Sequence, residues 1–324
     1  HWTFDARLSN IGTDGYIDRA SVDLNSYYLQ GGYFAENTSV KLIAFAGKEK
    51  TYHAWGYATK EEMEKFGRRY NPCGEMYTDA DGNKHYYTDQ TDNYLQKNYQ
   101  LLLNHSFSTA WNLNVALHYT KGDGYYEEYK PGSSLVEYGL KPFNPDGTET
   151  NESDLVRQKK MDNKFGGGVF SLNYTGNRLT ASLGGGLNQY RGNNFGKVTW
   201  VKNYIGNLSP EHEYYRNKSK KTDGNIYLKA NYDLTSTLSA YADLQYRHID
   251  YTNDKYDWNK NALRPLAVDK KFDFFNPKVG LNWNITPNHR LYASFSVAQK
   301  EPTRNNYTDG DPDSYPKAEK LLDY

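Results

Sequence analysis

Apolar residues fall on every second position through segment after segment of this chain, with polar and charged residues between them. In Trp111-Asn112-Leu113-Asn114-Val115-Ala116-Leu117-His118-Tyr119-Thr120, the apolar or aromatic Trp111, Leu113, Val115, Leu117 and Tyr119 alternate with Asn112, Asn114, His118 and Thr120. Successive side chains of a β-strand point to opposite faces, so this order gives a strand one greasy and one wet face. Leu238, Ala240, Ala242, Leu244 and Tyr246 repeat it against Asp243, Gln245 and Arg247. Trp2, Phe4, Ala6 and Leu8 do so against Asp5 and Arg7, and Ile226, Leu228, Ala230 and Tyr232 against Asn225, Lys229 and Asn231. Charge at alternate positions excludes a strand buried on both faces.

The strands are joined through two kinds of connection. Short turns are predicted at 35–38, 108–110, 175–178, 233–237 and 286–289, most of them rich in turn-forming residues. Long polar stretches are predicted around 48–91, 123–160, 193–220, 252–270 and 300–318. Tight turns at one end and long loops at the other are the pattern of an outer-membrane barrel, and a soluble sandwich has no reason to segregate them. Phe34, Phe107, Trp111, Tyr174, Tyr232 and Trp283 lie beside the short turns, where a girdle at the inner membrane interface would sit. About eleven strands of membrane-crossing length are expected, with a twelfth starting near Ala318. The fold class is therefore all-β: an antiparallel transmembrane barrel, seen in part. Trp111, Leu113, Val115, Leu117 and Tyr119 are expected on its convex, lipid side.

Composition narrows the remaining classes. A mean hydropathy of −0.94 with 37% hydrophobic residues is too polar for one conventional core. The 32 tyrosines favour strands over disorder. Basic and acidic residues balance at 39 each, so no net field invites nucleic acid. Cys73 stands alone and cannot form an internal disulfide. No GxSxG, HExxH or P-loop pattern is present, so no catalytic residues, cofactor or resident metal are assigned.

Several stretches resemble the barrel domain of TonB-dependent outer-membrane receptors. They are Gly47–Trp55, the strand start Thr91–Gln96, His118–Tyr129, Pro277–Trp283, Leu291–Ser296, Lys300–Arg304 and Ala318–Tyr324. The likeness runs through essentially the whole chain. It implies that residues 1–324 are part of a single barrel of about 22 strands, with the plug domain and the C-terminal strands outside this sequence. It further implies location in the bacterial outer membrane, contact with its lipid, coupling to the TonB complex through the plug, and uptake of a scarce solute such as a ferric siderophore. A passive porin-like channel, or a receptor for glycan, cobalamin or haem, is the alternative.

Candidate site residues sit near the outer ends of strands. Tyr52, His53 and Trp55 leave a strand and precede a predicted short helix, in which Thr59 and Glu62 form a capping box and Gly67 a stop. Together with Tyr125, Tyr126 and Arg304 they are expected to gather at the mouth, where rings could stack on a ligand and the guanidinium could hold an anionic group. Packing between loops is the plainer use of the same residues. Asp5, Arg7, Lys229, Asp243 and Arg247 occupy the polar positions of strands and are expected to face a wet or plugged interior. His53, His85 and His212 fall in outer loops with nothing to fix their separation. Asp79–Asn83 and Asp309–Asp313 carry calcium-type oxygen donors without the EF-hand spacing, so turn chemistry accounts for both. Asn104-His105-Ser106 lies inside a predicted strand and is a chance glycosylation match.

Overall fold

The computed structural model describes residues 1–140, 148–202, 212–259, 262–308 and 316–324. In chain order its strands are β1 (Trp2–Thr13), β2 (Val22–Phe34), β3 (Thr38–Tyr52), β4 (Glu75–Thr78), β5 (Lys84–Tyr86), β6 (Thr91–Ser106) and β7 (Trp111–Ser134). These are followed by β8 (Glu152–Thr175), β9 (Leu179–Val201), β10 (Glu213–Asp233), β11 (Leu238–Asn259), β12 (Ala262–Thr286), β13 (His289–Lys300) and β14 (Glu319–Asp323). Twelve of them form one antiparallel sheet in chain order, with β1 and β14 at its edges, while β4 and β5 pair separately. Among the described residues, two α-helices, α1 (Lys60–Phe66) and α2 (Arg304–Thr308), and a single 3-10 turn at Leu135–Tyr138 lie in the connections.

Register carries the alternation from strand to strand. Trp2, Tyr33, Val40, Leu103, Val115, Phe170, Gly185, Ile226, Tyr246 and Phe275 form one unbroken row of cross-strand partners on a single face. The rows to either side on that face are mainly apolar through the middle strands, with the Thr38–His105 and His248–Asp273 pairs as polar exceptions, and Leu117, Leu187, Leu228, Leu281 and Trp283 stand exposed on the face. Such a band is stable only against hydrocarbon. By register Asp5, Arg7, Lys229, Asp243 and Arg247 fall on the opposite face. Lys229 and Asp243 are direct cross-strand partners with their charged atoms 3.8 Å apart. Gln30 Nε2 donates to Asp5 Oδ2 at 3.1 Å, and Arg7 Nε donates to Ser9 Oγ at 3.1 Å.

Near the short turns this polar face holds a carboxamide network. Asn112 donates to Asn104, and Asn114 donates both to Asn112 and, across β7 and β8, to Ser171. A cavity of about 620 Å³ is bounded here by residues of six successive sheet strands, β3 and β6 to β10. The sheet therefore curves around its polar face, with the apolar face convex.

Glycines let the wall thicken elsewhere. Gly184 and Gly280 lie directly opposite Tyr227 and Tyr241, whose rings fill the space a Cβ would need. A Gly184→Val change is expected to force Tyr227 aside and lower stability by about 1–3 kcal/mol, read as a shifted urea midpoint in detergent micelles.

All five short turns appear where the sequence places them: β2, β6, β8, β10 and β12 end and the next strand begins within a few residues. The long loops need correction. Much of 123–160, 193–220 and 252–270 is strand: β7 runs to Ser134, β8 starts at Glu152, β9 reaches Val201 and β10 resumes at Glu213. β11 ends at Asn259 with β12 starting at Ala262, so no long loop separates them. The reason is physical. The backbone ladder continues past the bilayer, but there both faces are wet and the apolar/polar contrast disappears. The β4–β5 hairpin inside 48–91 was also not foreseen. Among the described residues no helix is long and apolar enough to cross a membrane.

Candidate functional site

The segment between β3 and β6 is a folded unit. Buried Asn71 donates to the carbonyls of Asp18 (3.0 Å) and His53 (2.9 Å) and accepts from the Cys73 N–H (3.0 Å). Arg19 donates to the Asn71 carbonyl and lays its guanidinium 3.4 Å from the Tyr86 ring centroid. The α1 helix has its expected ends: Thr59 and Glu62 cap each other, and Gly67, at φ 93°, closes it. Residues 79–83 form the β4–β5 turn, with Asp79 accepting from the backbone of Asp81 and Asn83 and bonded to His85 at 2.9 Å. The His85 bond first, then the Asn83 N–H, hold the Asp79 carboxyl down to about 2. This is turn chemistry, as expected. Asp309–Asp313 lies outside the described residues.

The candidate residues divide into three groups. Tyr52 is buried in the frame, its hydroxyl donating to the Tyr87 carbonyl at 2.8 Å. His53, Trp55 and Tyr126 form an aromatic cluster: the first two rings stack at 3.8 Å, and Tyr126 meets them edge-on at 5.9 and 5.7 Å. His53 is 2% exposed, and neither ring nitrogen has a hydrogen-bond partner of ordinary geometry among the described residues. Burial depresses its pKa against the opposing pull of Glu128 and Asp92, so the ring is neutral. Trp55 stays half-exposed at the rim. Tyr125 follows Tyr119 onto the convex face, where Lys160 Nζ lies 4.8 Å from its ring centroid. The three loop histidines are not a cluster, because His85 stacks on Tyr77 and His212 bonds the Tyr138 carbonyl.

Tyr126 and Arg304 share one cavity of about 760 Å³ on the concave side, at the long-loop end. Its other walls include Tyr138, Arg157, Lys159, Tyr214 and Tyr215. Arg157 is satisfied by Glu128 (2.7 Å) and the Tyr138 hydroxyl (3.1 Å). A core of Leu135, Leu140, Leu155, Val198 and Val201 packs behind Tyr138 and Tyr214. Neither Lys159 nor Arg304 has a carboxylate within 4 Å among the described residues. Positive charge beside aromatic faces suits an anionic, ring-bearing solute. Sequence reasoning missed Arg157, Lys159, Tyr214 and Tyr215, which lie where loops were expected. Continued alternation, with Arg157, Lys159 and Met161 on one face, is the signal that could have found them.

Residues 7–320 match the family model described as TonB dependent receptor-like, beta-barrel. The chain belongs to that family. TonB-dependent receptor barrels reside in the bacterial outer membrane, which fits the convex apolar band. No curated protein matches the sequence. Among solved structures, the ferric-catecholate import receptor Fiu from E. coli K12 is 11% identical with a TM-score of 0.57, over 93% of this chain and 51% of that one. The ferric yersiniabactin uptake receptor FyuA from Yersinia pestis is 9% identical at 0.57, over 93% and 42%. The siderophore receptor PiuA from Acinetobacter baumannii is 14% identical at 0.56, over 95% and 47%. These likenesses are of fold, and the chain spans about half or less of each structure's length.

Proposed function

We propose that the protein is the wall and part of the ligand mouth of an energised uptake receptor for a scarce anionic solute of the ferric-siderophore class. The cavity shared by Tyr126, Lys159, Tyr215 and Arg304 carries this reading: although Glu137 and Asp257 also line it, Lys159 and Arg304 have no carboxylate within 4 Å among the described residues and border space the size of a small ligand. Receptor barrels of the same fold whose names state ferric-complex import or siderophore reception support it. Under this reading residues 1–324 belong to one barrel domain. Its concave charges, Asp5, Arg7, Lys229, Asp243 and Arg247, meet a plug that couples to the TonB complex. The role is binding and passage, without turnover of the solute.

The test is affinity of the full-length receptor for a panel of ferric siderophores, with haem and cobalamin as competitors, alongside growth on each as sole iron source. Arg304→Ala is expected to weaken the best ligand by about 1.5–3 kcal/mol, tenfold or more. A Trp55→Ala, Tyr126→Ala double variant is expected to lose ligand-dependent growth while reaching the membrane normally. Unchanged affinity in both variants would move the site elsewhere. Steady ion conductance of the purified receptor without ligand would favour a passive channel.

A further inference from the structure

The convex face carries a second feature, visible only once the register is known. Lys97 on β6 lies directly opposite Lys121 on β7, Lys121 opposite Lys164 on β8, Lys164 opposite Arg191 on β9, and Arg191 opposite Lys220 on β10. Five adjacent strands thus present one unbroken cationic row, roughly 19 Å long at the usual strand spacing. The row is in phase with Leu103, Val115, Phe170 and Ile226, so it belongs to the lipid face. It sits just beyond the apolar band, one step past the Tyr99–Tyr119 pair and on the side away from the short turns. Its flanking partners, Ala46 on β3 and Thr252 on β11, are uncharged.

Like charges directly opposite one another destabilise a sheet, and this wall pairs opposite charges where it can, as Lys229 and Asp243 show. Within the row only Lys121 finds a carboxylate among the described residues, Asp123 at 3.9 Å. The other four cations have no carboxylate within 4 Å among the described residues, Asp123 and Asp162 in the next row included, which leaves them open to an anion from outside the protein. At that height the neighbouring phase is the headgroup layer, and long basic side chains can keep their stems on the apolar wall while their charges reach it.

We propose that this row binds the phosphates of phosphorylated lipid headgroups in the outer leaflet. Arg191 would grip a phosphate with its fork and the four lysines would supply point charges. The bound lipid would relieve the repulsion between β6 and β10 and stiffen the wall on which Tyr126, Lys159 and Tyr215 stand.

The experiment uses the full-length receptor in phosphatidylcholine vesicles doped with a bis-phosphorylated glycolipid, or with the same glycolipid after enzymatic dephosphorylation. Bound glycolipid per receptor and the thermal midpoint are measured. The phosphorylated form is expected to be retained and to raise the midpoint, increasingly so as salt is lowered. The dephosphorylated form is expected to do neither. A Lys121→Gln, Lys164→Gln variant is expected to lose about fivefold in retention for each charge removed, while matching or exceeding the native midpoint in vesicles free of phosphorylated lipid. Lys60→Gln, Lys65→Gln on α1 is expected to change nothing. Equal retention of the two glycolipids by the native receptor overturns the proposal without any variant having to fold. Undiminished retention by the Lys121, Lys164 variant overturns it equally.

Discussion

Val115→Arg is expected to abolish assembly into the outer membrane, while Asn114→Arg, one residue away, is expected to leave it intact. Val115 stands between Leu103 and Phe170 on the convex apolar face, midway along the band. An arginine there costs about 2–4 kcal/mol against hydrocarbon, a large share of the 5–15 kcal/mol by which a typical domain is stable. Asn114 points the other way, into the carboxamide network with Asn112 and Ser171. An arginine at that position loses a few neutral hydrogen bonds but keeps its charge in the concave cavity. The readout is receptor recovered from outer-membrane fractions and its resistance to unfolding in cold detergent. Equal recovery of both variants would reverse the assignment of faces.

The legible part of this chain is where two solvents act on one strand. Lipid outside and a polar interior demand opposite chemistry at successive residues, so Leu113, Val115 and Leu117 against Asn112 and Asn114 reveal both strand and orientation. Resemblance to a receptor family supplied the expectation of a larger barrel and of solute uptake, which alternation alone does not. Beyond the bilayer the demand lapses. Glu127-Glu128-Tyr129-Lys130 reads as loop, yet it is ladder-paired to β8 from Val156 to Gln158, with Lys130 opposite Leu155. Arg157, Lys159, Tyr214 and Tyr215 were missed for the same cause. Tyr125 and Tyr126 are consecutive and read alike, but carrying the phase on from Tyr119 sends only Tyr126 inward. The cationic row was invisible for a different reason. Its residues are scattered from 97 to 220 and become neighbours only through register, which sequence periodicity does not specify between strands.

The other large effect concerns the segment that brings Arg304 to the cavity. Between β13 and α2 the chain turns back onto the wall and is held at two points. Glu301, its side chain 12% exposed, contacts Lys221 through Oε1 and Arg247 through Oε2 at 3.1 Å, while Arg247 also grips Asp223 at 2.6 Å. Tyr307 is buried against Ile249, Tyr251, Val268 and Phe274. Arg304 lies between these anchors. Glu301→Gln is expected to weaken the first by about 1.5–3 kcal/mol, the range for hydrogen bonds to charged groups, leaving Lys221 without its carboxylate. Loss should be local, since twelve paired strands do not depend on it: faster hydrogen exchange in 301–308, with the barrel's unfolding midpoint little changed. Burial pushes the Glu301 carboxyl up, but the Lys221 hydrogen bond and the charges of Lys221 and Arg247 outweigh it and hold the group below the usual carboxylate range. A carboxyl depressed in the folded state stabilises fully above its unfolded value of about 4.3 and loses that contribution as pH falls through the folded value. Protection of 301–308 in the native receptor should thus be constant near neutrality and collapse in acid, whereas the Gln variant should show no such step. Because Arg304 is three residues from the anchor, ligand affinity should fall with the same pH profile. A native protection factor that ignores acid, or a Gln variant with native protection, would leave Tyr307 as the sole anchor of the segment.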